Sequence, residues 1–284
     1  VMATNQKTIY VYDDFSFDAP MLLGKLYVGV IRGGESFSFE YDLEWIKRTA
    51  SSINIDPELP AYVGRQYPGG KNIFGLFADA SPDRWGRVLM NKRERILADK
   101  EGRKPRKLYD SDYLLGVYDE TRMGGIRLKD DMDGPFLSDD KDSAVPPWAT
   151  LRALEEASRN FENDETGLSE KWLDQLIKPG SSLGGARPKA TVIDVEGHLW
   201  IAKFPPKNDE NDTGAWEKVV HDLARMCGLN VPESKIEKFS KLGSTFLVKR
   251  FDRIDKKRIH FASAMTLLNK IDGASAEDGS SYLD

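Results

Sequence analysis

Apolar and polar positions alternate in short runs between residues 9 and 46: Ile9-Tyr10-Val11-Tyr12, Leu26-Tyr27-Val28-Gly29-Val30, then Phe37, Phe39 and Tyr41, with turn residues between them. A period of two sends successive side chains to opposite faces of a strand, so this stretch predicts a small antiparallel sheet. Helical spacing follows in Glu40 to Ala50 and in Asp83 to Asp99, the latter long and charged, and less cleanly in Lys107 to Leu115. The first part of the chain therefore reads as α+β.

The stretch from Lys129 to Asp142 is acidic, rich in turn residues and poor in periodic apolar positions, which predicts a boundary near residue 143 and two domains, 1–143 and 144–284. Beyond Pro146-Pro147, helical patterns run from Trp148 to Phe161 and from Ser169 to Ile177, the second ended by Pro179-Gly180. Two strand-like runs, Ala190 to Asp194 and Leu199 to Phe204, flank a Glu196-Gly197 turn and predict a hairpin. A helix from Thr213 to Cys227 places Trp216, Val219, Val220, Leu223, Ala224 and Cys227 on one face, with Gly228 as its C-terminal cap. Strand-like runs from Ser234 to Phe239 and Ser244 to Phe251 come after it.

Composition narrows the classes. The 284 residues (32.0 kDa) include a single cysteine, Cys227, which excludes an internal disulfide or a multi-cysteine metal site and points to a reducing cytoplasm. No apolar run approaches the length of a membrane span, and the polar N-terminus lacks the layout of a signal peptide. A net charge of −5 and a pI near 5.5 argue against a protein devoted to coating nucleic acid. The local exception is the basic stretch from Arg84 to Lys107, read as a solvated helix face followed by a basic loop, with a partner-docking or DNA-backbone surface as the other reading.

The candidate chemistry lies in an order of elements: a glycine-rich segment, a strand with an interior lysine, then a helix with an early glutamate. ATP phosphates need backbone N–H groups that approach without a Cβ in the way, which Gly180 to Ala186 offers. Lys203, in Ile201-Ala202-Lys203, is suited to neutralise phosphate charge, and Glu217 is placed to orient it. Each part also has a plainer reading. The glycine segment matches neither common phosphate-loop pattern and reads equally as a flexible turn; Lys203 alone reads as an exposed strand residue, and Glu217 alone as an acid complementing a helix dipole.

Four motifs in this half resemble the HipA family of bacterial toxin kinases: Ser181-Ser182-Leu183-Gly184-Gly185-Ala186-Arg187-Pro188-Lys189-Ala190, Trp200-Ile201-Ala202-Lys203-Phe204-Pro205, Trp216-Glu217 and Arg250-Phe251-Asp252-Arg253. The N-terminal half joins in with Phe77 to Arg87, Asp112 to Val117 and Arg122 to Arg127. The resemblance implies an N-terminal α+β domain followed by the ATP-binding-lobe part of a kinase-like fold, with ATP and Mg²⁺ as cofactors and a protein hydroxyl as acceptor. Lys203 and Glu217 would be the catalytic pair. Ser181, Ser182, Leu183, Gly184 and Gly185 would cover the nucleotide, the backbone from Lys249 through Arg250 to Phe251 would meet adenine, and Ser182 would be the regulatory phosphorylation site. The family also implies a helix-turn-helix antitoxin as partner, DNA reached only through it, and a translation-related protein substrate such as an enzyme charging tRNA.

One departure stands beside the match. The family places its acceptor-orienting aspartate, and the asparagine and aspartate that hold Mg²⁺, well beyond the Arg250-Phe251-Asp252-Arg253 segment, whereas thirty-one residues follow Arg253 here. No metal ligand is therefore assigned, and the chain is expected to be a C-terminally truncated kinase, inactive alone. His221-Asp222-Leu223 and Ile271-Asp272-Gly273 imitate catalytic motifs, but the first lies inside the amphipathic helix and the second has no catalytic loop before it. The competing functions are a catalytically silent antitoxin-binding or nucleotide-binding module and a direct nucleic-acid binder.

Overall fold

A computed structural model describes residues 6–49, 53–137, 145–163, 176, 186–273 and 275–281. It is a mixed α and β structure with antiparallel sheets, and the chain divides into two compact units. The first holds Val1–Ser81, Leu108–Asp139 and Lys257–Asp284; the second holds Pro82–Lys107 and Asp140–Lys256.

In the first unit, β1 (Gln6–Asp13), β2 (Met21–Ile31), β3 (Gly34–Tyr41), β4 (Arg65–Gln66) and β5 (Ile126–Lys129) form a sheet in the order β4-β3-β2-β1-β5. The alternation read from the sequence is the register itself: Ile9 lies opposite Leu26, Leu26 opposite Phe39 and Val28 opposite Phe37, all buried. Gly24 is required, because a Cβ there would lie 2.3 Å from the Glu40 carbonyl oxygen. Helices α1 (Leu43–Thr49) and α2 (Gly75–Asp79) close the core with Trp45, Leu76 and Phe77. The helix expected from Glu40 starts only at Leu43, since Glu40 and Tyr41 are still paired with Lys25 and Gly24 of β2.

The last described residues belong to this unit as a strap. Arg258 donates to the Asp119 carbonyl (2.8 Å), His260 Nε2 lies 3.0 Å from the Ile55 carbonyl, and the backbone N–H of Ser263 and the hydroxyl of Thr266 both donate to Asp79 Oδ2. Beside them α4 (Asp110–Leu115) leads to Arg122, whose buried guanidinium donates to the carbonyls of Ala80, Leu114 and Val117. Desolvation brings its pKa down to about 10.

In the second unit, β6 (Lys189–Ile193), β7 (Leu199–Lys203), β8 (Ser234–Glu237) and β9 (Thr245–Lys249) form an antiparallel sheet in the order β6-β7-β9-β8. Helices α3 (Arg84–Lys100), α5 (Leu151–Asn163) and α6 (Thr213–Met226) accompany it. Leu151, Leu154 and Ala157 of α5 and Trp85 and Leu89 of α3 share a core with Ala190, Val192, Trp200, Ala202 and Leu247. Side chains alternate along a strand, so Lys203 and Phe246, the neighbours of Ala202 and Leu247, face the other side, where α6 lies. Asp83 caps α3 through Gly86 N–H and also meets Lys189 in a buried ion pair.

The expected boundary near residue 143 lies outside the described residues. A contiguous split differs from the observed units at two segments, for physical reasons: α3 is held by Trp85 and Leu89 in the second core, and residues from 257 onward bond into the first unit. Of the helix expected from Ser169 to Ile177, only Leu176, helical and buried, is described. None of the helices described is long and apolar enough to cross a membrane.

Candidate functional site

The site is built where β7 ends and α6 begins. α6 starts at Asp212, which adopts a left-handed backbone (φ 49°) and accepts three bonds with its carboxylate: from Ala215 N–H, from Ser244 N–H (2.7 Å) and from the Ser244 hydroxyl (2.8 Å). Partial burial opposes ionisation of Asp212, but these hydrogen bonds outweigh it and lower its pKa. Gly214 then lets the helix touch the sheet, since a Cβ there would come 2.0 Å from the Ser244 carbonyl oxygen.

This seating brings Glu217, one turn in, onto the last residue of β7. Lys203 Nζ pairs with Glu217 Oε1, and Arg187 Nη1 lies 3.1 Å from Glu217 Oε2. Lys203 and Glu217 are part-buried, with side chains 26% and 29% exposed, so the pair is neither a core ion pair nor a fully solvated one. The structure thus joins the two residues that the sequence singled out. It also adds Arg187, whose Nε donates to the Phe204 carbonyl (2.7 Å) and Nη2 to the Lys203 carbonyl (3.2 Å). Burial lowers the Arg187 pKa, against the pull of Glu217, Asp209 and Asp212.

The connector after β9 opens on a cleft of about 780 Å³ whose lining includes Lys249, Arg250 and Phe251, facing His198, Asn230 and Glu233. Here Lys249 N–H donates to the Glu233 carbonyl and Arg250 N–H to the Leu199 carbonyl. The Arg250 side chain is committed to buried Asp252 (2.8 and 2.6 Å), which also meets Arg253. The Arg-Phe-Asp-Arg motif is therefore a knot of charge that shapes the connector, while Phe251 is 50% exposed. Lys203 does not line the cleft; it lies three strand positions from Trp200, which pairs with Lys249, a span of roughly 10 Å.

Ser181, Ser182, Leu183, Gly184 and Gly185 lie outside the described residues. Asp222 sits within α6 and pairs with Lys218 (2.6 Å) and Arg225 (3.3 Å), the Lys218 hydrogen bond lowering its pKa first. His221 lies tilted beside Phe246, with ring centroids 5.8 Å apart, and meets Ser234 Oγ at 3.0 Å, so His221-Asp222-Leu223 is part of a helix and not a catalytic loop. In the basic stretch, Glu94 takes Arg103 and Arg106, and the Arg103 hydrogen bond chiefly brings its pKa down to about 2. Among the described residues one set groups metal-ligating atoms, Asp194, Glu196 and His198, at the β6–β7 turn and the opposite end of β7 from Lys203.

The family model of the HipA-like C-terminal domain matches residues 181–284. That segment contains β6 to β9, α6 and the connector. A solved structure from Shewanella oneidensis MR-1, described as the toxin antitoxin system HipA, HipB and its operator DNA complex, is 18% identical with a TM-score of 0.49, and the match covers 92% of this chain and 56% of that one. This chain thus spans little more than half the length of that relative. No curated protein matches it significantly.

Proposed function

We propose that this chain carries the nucleotide-positioning part of a HipA-like serine/threonine protein kinase, the toxin of a toxin–antitoxin pair. The observation that carries the reading is the Lys203–Glu217 pair, which holds a cation at the end of a sheet strand through a carboxylate on the adjoining helix. When bound, ATP supplies the phosphoryl group. Lys203 would meet its phosphates, and the connector at Lys249 to Phe251 would meet its base, at a separation compatible with the length of a nucleotide. The residues present fit ATP in this respect. Among the described residues the one grouping of three metal-ligating side chains lies at the far end of β7, and no ligand is assigned to Mg²⁺. No transfer step is derived for these residues alone.

The HipA-like match extends the proposal to a helix-turn-helix antitoxin as partner, with DNA contacted only through it, and to a translation-related protein hydroxyl as acceptor. A catalytically silent nucleotide-binding or antitoxin-binding module is the second reading. Calorimetric titration with ATP tests the first part: Lys203→Ala is expected to weaken binding at least about tenfold, or about 1.4 kcal/mol. Equal affinity of the wild type and this variant would overturn it. Incorporation of labelled γ-phosphate separates a kinase from a silent module.

A further inference from the structure

We infer that Arg187 is a positioning residue for Lys203: it holds the Glu217 carboxylate by Oε2, the oxygen that the lysine leaves over, and staples α6 to the end of β7. The inference rests on the reading of Lys203 as the phosphate anchor. A lysine–glutamate pair on two flexible side chains is a loose device in partly exposed surroundings, because holding both chains in one geometry offsets much of the attraction. Arg187 changes that. Its planar guanidinium presents donors in a fixed fork, and three of them reach acceptors on two elements: Phe204 O and Lys203 O at the strand end, and Glu217 Oε2 on the helix. The arginine thus holds the backbone of Lys203 and the counter-ion of Lys203 at once.

Charge and packing agree with this role. Lys203 and Arg187 share one carboxylate, and each of its oxygens faces a cation. Gly214, in the first turn of α6, leaves room for the arrangement: a Cβ there would stand 3.1 Å from Arg187 Nη2 as well as against Ser244. Arg187 side-chain exposure is only 15%, so its bonds are sheltered from competing water.

The test is the rate at which Lys203 is acylated by a water-soluble amine-reactive ester, followed by mass spectrometry of its peptide, in the whole chain without nucleotide. Exposed Lys256 serves as the internal reference. Arg187→Ala is expected to raise Lys203 labelling several-fold, towards the rate of Glu217→Ala, and Arg187→Lys, which keeps the charge and loses the fork, is expected to fall between them. A role confined to general stability would move the unfolding midpoint and leave the Lys203 rate unchanged. Wild-type labelling in both Arg187 variants, with faster labelling in Glu217→Ala, overturns the inference; should Arg187→Ala fail to fold, Arg187→Lys alone decides in the same way. A parallel arm with ATP keeps the two readings apart. Absence of ATP protection at Lys203 in the wild type counts against the nucleotide site, whereas the nucleotide-free rates judge Arg187 by themselves.

Discussion

Helices α5 and α6 lie against opposite faces of one four-stranded sheet and are held there by different forces. α5 buries Leu151, Leu154 and Ala157 against Trp200, Ala202 and Leu247, with one polar contact, Thr245 to Glu155 (2.6 Å), set into the apolar layer. α6 presents Gly214, Glu217 and His221 to the sheet and turns its apolar side away: Trp216, Val219, Val220 and Leu223 are 63, 47, 63 and 53% exposed. Hydrophobic burial is strong but non-directional, so it fixes that α5 is attached more firmly than where each atom sits. Hydrogen bonds and ion pairs are directional, so the contacts of α6 place Glu217 at a defined point beside Lys203.

The largest effect expected from this contrast is on stability. Leu154→Ala should cost about 2–5 kcal/mol, and Leu223→Ala on the outer side of α6 within about 0.5 kcal/mol of nothing, in urea unfolding followed by tryptophan fluorescence. Comparable losses would mean that the outer side of α6 is covered in solution. Next, Thr245→Val keeps the shape but takes the hydroxyl from buried Glu155, for an expected loss of about 1–3 kcal/mol by the same measurement. An unchanged midpoint would show that this contact is dispensable to the α5 layer.

On the α6 side, Asp212→Ala removes the cap and both contacts to Ser244, for an expected loss of about 1–2 kcal/mol. Asp212→Gly suits the left-handed backbone and should recover part of it. Equal losses would put the whole effect in the side-chain bonds. The smallest effect concerns the hairpin between β6 and β7. Partial burial opposes ionisation of Asp194, yet bonds from His198 N–H, Trp200 Nε1 and Glu196 N–H bring its pKa from 3.8 down to about 2. A lowered folded pKa stabilises the fold above the unfolded value, and that contribution fades as pH falls from about 4 towards 2. Asp194→Asn should therefore melt a few degrees below the wild type at pH 6, with the gap closing in acid; a gap that persisted at pH 2 would contradict the assignment.

Legibility in the sequence followed the range of the forces. The alternation of Ile9, Val11, Leu26, Val28, Phe37 and Phe39 is a local signal, and the sheet it predicts is present. β4 is two residues long and β5 carries only Ile126 and Leu128 as its buried alternation, too little for a period to emerge. Lys203 and Glu217 were legible because strand and helix follow one another in the chain. Arg187 was not, although it stood in a quoted motif, because its acceptors lie 16 to 30 residues away and carry no pattern. The apolar stripe of α6 was read from its spacing, but spacing does not say which side of a helix meets the sheet, and here the polar side does.

The strap formed by the last described residues bears on how such a chain can be cut and recombined. The segment matched by the HipA-like C-terminal family begins at residue 181 and runs to 284, yet His260, Ser263 and Thr266 find their partners at Ile55 and Asp79. A chimera that exchanged residues 181–284 for those of a relative would import a foreign strap onto native Asp79, and a protein cut at residue 181 would leave that aspartate without two of its donors. The seam at which a sequence family starts and the seam at which a folding unit closes are different places in this molecule. Grafts made along the second, carrying the strap with the first unit, should keep both ends of every one of these bonds.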